Sequence, residues 1–324
     1  MNECAPIFVS VYTRLDTFKK CIEALKENSL AIHSELYVGS DASSRAEDDA
    51  LVKEVRDFAK GITGFKQVHL IFREQNIGGF ESCIQAEKMI LEKHGKIIFL
   101  EDDVIASKSF LSFLNEALSR FKDDQSVFSI SAYCPPVAYA PQWNNRILVA
   151  PFHCPWGYAT WLDRYQTISP RFNPYPQVIR DKTSVNYIIR NAPFMLEALR
   201  DDYFNSALGY ADVRLSFQVM LRKMGSLYPA FSLTRNIGLD GFGMRMPRND
   251  ELIKQSICDD YEVLNWEKVV DADFQTRFVK NGMKPGQRYL IVSFLYRTGM
   301  REQFDFIISS ARKVKKFLKS RRLL

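Results

Sequence analysis
The stretch Lys96-Ile97-Ile98-Phe99-Leu100-Glu101-Asp102-Asp103 decides how this chain is read. Four large apolar residues in succession predict a buried strand, and the run stops abruptly in three acids. Adjacent carboxylates repel one another, so such a cluster needs solvent, a paired cation or a bound metal ion. Open α/β sheets bind ligands at the carboxyl ends of their strands, which makes a divalent cation carrying phosphates one reading. Ser107, Ser109 and an apolar helix follow, so a solvated loop or helix start is the other.

Outward from this strand the first half alternates between two periodicities. Strands are expected at Ile7–Tyr12, Glu35–Ser40, Val68–Phe72, Lys96–Leu100 and Val127–Ser131. Helices are expected near 16–28, 47–60, 80–93 and 109–121. Strands alternating with helices of this length imply right-handed βαβ units and a largely parallel sheet. After Tyr133 the texture changes, with Pro135, Pro136, Pro141, Pro151, Pro155, Pro170, Pro174 and Pro176 marking a loop-rich region. Helical patterns resume near 185–199 and 212–223, and 226–233 reads as a strand. No internal repeat or low-complexity tract is present.

The ends of the first three strands carry polar residues suited to a nucleotide. Tyr12-Thr13-Arg14 offers a guanidinium for phosphate and a hydroxyl for base or ribose. Gly39-Ser40-Asp41 places an acid to accept from a ribose hydroxyl or a base N–H. Arg73, Asn76, Gly78 and Gly79 form a turn opening a helix, where amides and a cation meet an anion. Singly, each is a cap or turn residue. Together on one sheet edge they read as a site. Neither GxGxxG after the first strand nor GxxxxGK[ST] occurs, which disfavours dinucleotide and P-loop chemistry.

These motifs, in this order and spacing, resemble the glycosyltransferases of the GT-A fold, family 2 or a near relative. Pro155-Trp156-Gly157-Tyr158-Ala159-Thr160-Trp161, then Tyr210-Ala211-Asp212, Ser226-Leu227-Tyr228-Pro229 and Asn236-Ile237-Gly238, is similar to a bacterial branch of sugar transferases. The resemblance covers about residues 5–245. It implies a Rossmann-like nucleotide-diphospho-sugar transferase fold, α/β with a central mostly parallel sheet flanked by helices. One catalytic domain over 1–285 is expected, its nucleotide half at 1–103 and its acceptor half at 104–285, with a helical basic tail at 286–324. The acidic triplet matches the family's Asp-x-Asp position. As in the N-acetylglucosaminyltransferase I group, Asp103 then contacts the metal, Mn2+ or Mg2+, with Asp102 near the ribose and Glu101 on the base side.

Asp212 is a helix N-cap on local grounds and the candidate general base on the family pattern. Trp156, between Pro155 and Gly157, suits stacking on a sugar face, whereas Trp161 reads as core packing. Related proteins often carry a His-Thr segment after Asn-Ile-Gly; here the chain reads Leu239-Asp240-Gly241-Phe242-Gly243-Met244-Arg245. Arg245 or Arg235 is expected to hold the diphosphate in its place. The implied activity is inverting transfer of a hexosyl or N-acetylhexosaminyl group. The donor is a nucleotide diphosphate sugar, expected to be a UDP-sugar, and the acceptor a glycan or lipid-linked molecule of bacterial surface polysaccharide or glycoconjugate synthesis. A catalytically inactive carbohydrate-binding relative would keep the core motifs. A sugar-nucleotide pyrophosphorylase would want a Gly-rich, Arg-containing loop after the first strand, which is missing.

Composition is globular, at 46% hydrophobic and 25% charged over 324 residues. No segment is apolar for long enough to span a bilayer, and the N-terminus shows no secretion pattern, so a cytoplasmic protein is expected. Six scattered cysteines without CxxC spacing fit reduced thiols. Four dispersed histidines do not suggest a zinc site, and His153 is expected in a structural role. Of the net charge of +6, seven cations lie after Asp305; removing those seven leaves −1. Ile307, Ala311, Val314, Phe317 and Leu318 share one helical face with cations beside them. That pattern allows the tail to lie on an anionic membrane surface or to pack on the domain. The basic cluster lacks an aromatic recognition module, so nucleic acid is not an expected partner.

Overall fold
A computed structural model of the chain describes residues 3–136, 143, 145–191, 193–205, 209–241, 249–260 and 265–275, with single positions at 277, 294, 298 and 300. Arg245 and the amphipathic pattern at 307–318 lie outside the described residues.

The first part alternates as expected: β1 (Ile7–Val11), α1 (Leu15–Lys26), β2 (Glu35–Ser40), α2 (Asp49–Lys60), β3 (Gln67–Phe72), α3 (Gly79–His94) and β4 (Lys96–Glu101). Then come β5 (Val104–Ala106), α4 (Phe110–Arg120), β6 (Val127–Ser131), β7 (Arg146–Ala150) and β8 (Tyr158–Trp161). Short helices α5 (Leu162–Thr167) and α6 (Tyr175–Val178) precede α7 (Lys182–Asn191), α8 (Pro193–Phe204) and α9 (Ala211–Leu221). The described elements finish with β9 (Gly225–Pro229), β10 (Thr234–Asn236), α10 (Asp250–Ile253) and β11 (Asn265–Val269).

Nine strands form one sheet in the order β11-β7-β9-β6-β8-β4-β1-β2-β3, and β5 pairs with β10 in a separate antiparallel ribbon. Five of the eight pairings in the large sheet are parallel. The fold is therefore α/β around a mostly parallel central sheet flanked by helices.

Alternation along the strands explains why both sheet faces are covered. Ile7, Val9, Ile98 and Leu100 enter one apolar core with Phe18, Ile22 and Leu25 of α1 and with α4. Their neighbours Phe8, Ile97 and Phe99 enter a second core with Ile90 and Leu91 of α3. Adjacent residues of one strand point to opposite faces, so a run such as Ile97–Leu100 supplies both layers at once. In α1 the buried Phe18, Cys21, Ile22 and Leu25 recur at helical spacing and form its inner stripe. A third core gathers α6–α9 around Leu148, Tyr228 and Phe217.

Three expectations for the second half are corrected. The helix expected over 185–199 is two helices, with Pro193 opening the second, because proline lacks the N–H that an uninterrupted helix needs. The strand expected over 226–233 ends at Pro229, and a separate strand begins at Thr234. The Trp-Gly-Tyr-Ala-Thr-Trp segment reads as a loop in sequence. Its second half is instead β8, an antiparallel strand between β4 and β6. All four residues of that strand are buried.

Candidate active site
Parallel pairing of β3, β2, β1 and β4 brings their carboxyl ends side by side. The row so formed carries Arg73 and Asn76, then Asp41, then Thr13 and Arg14, then Glu101, Asp102 and Asp103. Arg56 of α2 fastens part of it. Its Nη2 donates to the carbonyls of Ser40 (3.1 Å) and Arg73 (2.8 Å), tying the ends of β2 and β3 together.

Asp41 is only 4% exposed, and its two carboxylate oxygens meet different surroundings. Oδ1 accepts from the backbone N–H of Ala42 (3.0 Å) and of Ile77 (3.2 Å). Oδ2 is buried and has no partner. An unpaired buried acceptor costs about 1–3 kcal/mol, so the site keeps an acceptor ready for a donor it does not itself supply. Beside it Asn76 donates to the Ala42 carbonyl (2.6 Å), and the Arg73 guanidinium reaches Ser82 in the first turn of α3. Gly78 stands at φ +87 and ψ 138 before that helix, a conformation that glycine adopts without strain.

The acidic triplet is clamped from the far end of the chain. Asn236 Nδ2 donates to Asp103 Oδ1 (3.1 Å), and the Ile237 N–H donates to the Asp103 carbonyl (2.8 Å). A side chain on Gly238 would overlap the Asp103 carboxylate and crowd Arg14, so only glycine fits there. Arg14 lies 3.5 Å from Asp103 Oδ2, 2.6 Å from Asp240 Oδ2 and 3.3 Å from the Gly238 carbonyl. Burial pushes the Asp102 carboxyl up to about 7, the Asp103 charge adds to the push, and Arg14 opposes it. Burial also raises Asp103, again against the pull of Arg14. The roles of Asn236, Gly238 and Asp240 are not legible in the sequence, although Asn-Ile-Gly marks the place. They act through a contact 133 residues apart, which periodicity does not report.

A divalent cation fits this donor set. Asp102, Asp103 and Asp240 gather around Arg14, and hard oxygen donors suit Mg2+ or Mn2+. No three His, Cys, Asp or Glu side chains form a ready metal cluster among the described residues. Any metal held here would therefore rest on one or two carboxylates plus ligand oxygens, the usual habit of Mg2+.

Asp212 sits in the first turn of α9, where no side-chain cap bond is made. The Cys154 thiol is raised by burial first, with the charges of Asp212 and Glu101 adding to it. Both acids thus act on one thiol. A buried ion pair fixes that helix: Arg214 clasps both carboxylate oxygens of Asp202 in α8 and packs over the Phe80 ring beside Gly79.

Trp156 is half-buried, with its ring edge-on to Tyr133 at 4.7 Å and its carbonyl accepting from Thr234 Oγ1 (2.7 Å). Gly157 at φ +92 is seated so tightly that a Cβ would come 2.9 Å from Thr234 and 3.1 Å from Phe110. Trp161 is core: 5% exposed, donating to the Leu118 carbonyl and covered by Arg164. His153 is also buried, with Nδ1 3.3 Å from Ser129 Oγ. All six cysteines are free.

Arg235, the other candidate for the diphosphate, stands on β10 between Thr234 and Asn236. On β10, Thr234 faces Trp156 and Asn236 faces Asp103, so alternation turns Arg235 to the opposite side of the ribbon. There it lines a cavity together with Thr13, Arg14 and Asp240.

No family model matches the chain, and no curated protein matches it in sequence. Among solved structures it is similar to the mannosyltransferase PcManGT from Pyrobaculum calidifontis, in complex with GDP-Man and Mn2+. The identity is 12% over 67% of this chain and 74% of that one, with a TM-score of 0.37. S. aureus TarS shows 12% identity over 69% of this chain and 36% of that one, with a TM-score of 0.37. GalNAc-T7 with UDP, GalNAc and Mn2+ shows 9% over 71% and 43%, with a TM-score of 0.44. This chain spans less than half the length of the last two. Likenesses this weak do not carry chemistry from those proteins to this one. No helix among the described residues is long and apolar enough to cross a membrane.

Proposed function
We propose that the protein is a metal-dependent glycosyltransferase of the GT-A type, moving a sugar from a nucleotide diphosphate to an acceptor hydroxyl with inversion. The observation that carries this reading is Asp41 Oδ2, a buried acceptor without a donor, standing in a row of strand ends with Arg14, Arg73 and the acidic triplet. A base or ribose of the nucleotide supplies the missing donor. Arg14 and the turn at Gly78–Gly79 face the phosphates, where a guanidinium and helix-terminal amides favour negative charge.

Asp103 is the residue to hold Mn2+ or Mg2+, which when bound neutralises charge on the departing diphosphate. Asp212 takes the proton of the acceptor hydroxyl. The acceptor oxygen bonds to the anomeric carbon from the opposite face, and the electron pair of the broken C–O bond leaves with the diphosphate. Trp156 presents an aromatic face for the sugar. A UDP-sugar donor and a glycan or lipid-linked acceptor in bacterial surface glycan synthesis follow from the sequence resemblance.

Thermal melts with UDP, GDP and ADP, each with and without Mn2+, test the donor site. A Mn2+-dependent stabilisation by one of the three is expected. The Asp103→Asn variant should lose it and turn over nucleotide sugar roughly 100-fold more slowly or worse. Turnover at the wild-type rate in that variant sinks the assignment.

A further inference from the structure
Three large aromatic side chains stand exposed together in the second half of the chain: Phe172 at 46%, Tyr203 at 45% and Phe204 at 59%. Tyr203 and Phe204 close α8, and their ring centroids lie 5.2 Å apart. The buried Tyr175 ring holds both from behind, at 5.5 and 6.2 Å. Arg200 is buried and lies 5.1 Å from the Phe204 centroid, so it backs one face of that ring and leaves the other to solvent. Rings fixed in this way cost little further ordering when a ligand covers them.

Polar contacts tie the patch to the ligand-facing edge of the sheet. Asn173, next to Phe172, donates to Asp202 Oδ2 (2.7 Å), next to Tyr203. Arg171, on the other side of Phe172, clasps both carboxylate oxygens of Glu81 (3.1 and 2.5 Å) in the first turn of α3. Asp202 Oδ1 accepts from the N–H of Tyr210 (3.0 Å) at the head of α9, just before Asp212. A Cβ on Gly209 would lie 3.3 Å from the Phe80 side chain, again in the first turn of α3. The rings therefore flank the place where the turn at Gly78–Gly79 meets the start of α9.

We infer that Phe172, Tyr203 and Phe204 form an acceptor platform, on which the rings of a neutral oligosaccharide stack beside the site of transfer. The inference rests on the sugar-transfer reading and adds to it the class of acceptor. Aromatic faces suit the C–H faces of pyranose rings, and a phenolic hydroxyl such as that of Tyr203 suits sugar hydroxyls. Charge favours a neutral occupant, because Arg171, Arg200 and Arg214 are each paired with an acid: Glu81, Asp201 and Asp202. An anionic membrane surface would call for cations without such partners. Area speaks against a second copy of the chain. Three half-exposed aromatic side chains offer roughly 300 Å², where a stable protein interface takes about 800 Å² from each partner.

Saturation-transfer NMR titrations of the whole chain with maltohexaose, cellohexaose and chitohexaose test the platform. At least one hexasaccharide should bind, and its monosaccharide about tenfold more weakly, since several rings share the stacking. Phe204→Ala should weaken the preferred hexasaccharide about fivefold and Tyr203→Ala about threefold. Phe204→Leu should weaken it as much as alanine does, and Phe204→Trp should restore it, because stacking needs a ring rather than apolar bulk. Stabilisation by nucleoside diphosphate and Mn2+ should be unchanged in every variant. Failure of all three hexasaccharides to bind, or wild-type binding by Phe204→Leu, overturns the platform. So does a dimer, or co-sedimentation with phosphatidylglycerol vesicles, that Phe204→Ala abolishes. Hexasaccharide binding that needs these rings, in a protein that UDP, GDP and ADP with Mn2+ do not stabilise, upholds the platform and sinks the transferase reading instead.

Discussion
The two ends of the central sheet are built differently. From β3 to β4 every pairing is parallel, β1, β2 and β3 are each followed by a helix, and each strand end delivers a polar group to one edge. From β8 to β11 antiparallel and parallel pairings mix, and strands from distant parts of the chain interleave. The first region turns local sequence directly into a ligand-facing edge. The second positions Trp156, Gly157 and Asp212 only through long-range contacts. Function concentrated at the acidic triplet depends on both, because Asn236 and Gly238 come from the second region to hold Asp103 in the first.

That contrast predicts that a single methyl group in the second region does more harm than a change of ligand chemistry in the first. Gly157→Ala should cost the most stability. A left-handed backbone costs a non-glycine residue roughly 1–2 kcal/mol, and the crowding by Thr234 and Phe110 adds overpacking, for about 3 kcal/mol in all. Urea unfolding reads it, and a loss below about 1 kcal/mol would show that the segment relaxes freely.

The polar core of the second region has a pH signature. Burial pushes the His153 imidazole down to about 3, so the folded protein keeps it neutral while the unfolded chain protonates it near 6.5. Its contribution is complete above the unfolded value and is lost as pH falls toward 3, at about 1.4 kcal/mol per pH unit. Between pH 7 and pH 5 the wild type should lose roughly 2 kcal/mol more stability than His153→Gln. Parallel stability curves for the two proteins would contradict the neutral buried histidine.

The smallest effect is expected in the first region. Asp41→Asn keeps the shape of the side chain, and the amide oxygen can still accept from Ala42 and Ile77. It replaces the orphan oxygen by a donor. Nucleotide affinity should fall about tenfold, about 1.4 kcal/mol, with little change in melting temperature. Unchanged affinity would mean that Oδ2 is not the nucleotide contact.

How much was legible in sequence follows the same division. The boundaries of β2 and β6 agree with their hydrophobic runs, and β1, β3 and β4 differ by a single residue. Thr13, Arg14, Asp41, Arg73, Asn76, Gly78 and the acidic triplet could be placed on one edge because parallel strands end on the same side of a sheet. β5, β7, β8, β10 and β11 went unread. They are three to five residues long and owe their extended form to partners far along the chain. Tyr158–Trp161 is the plainest case: four residues with no strand-length pattern become a central strand because β4 and β6 offer their hydrogen bonds on both sides.

By itself, the sequence determined the βαβ order, the row of strand-end side chains and the three acids after Leu100. Each depends on spacing of 2 or 3.6 residues, which a chain carries wherever it folds. Tertiary structure alone decided which carboxylate is clamped, which oxygen of Asp41 is left without a partner, and that Arg235 lines one cavity with Arg14 and Asp240. Those outcomes depend on contacts between residues 36 to 133 positions apart, and no local periodicity encodes them.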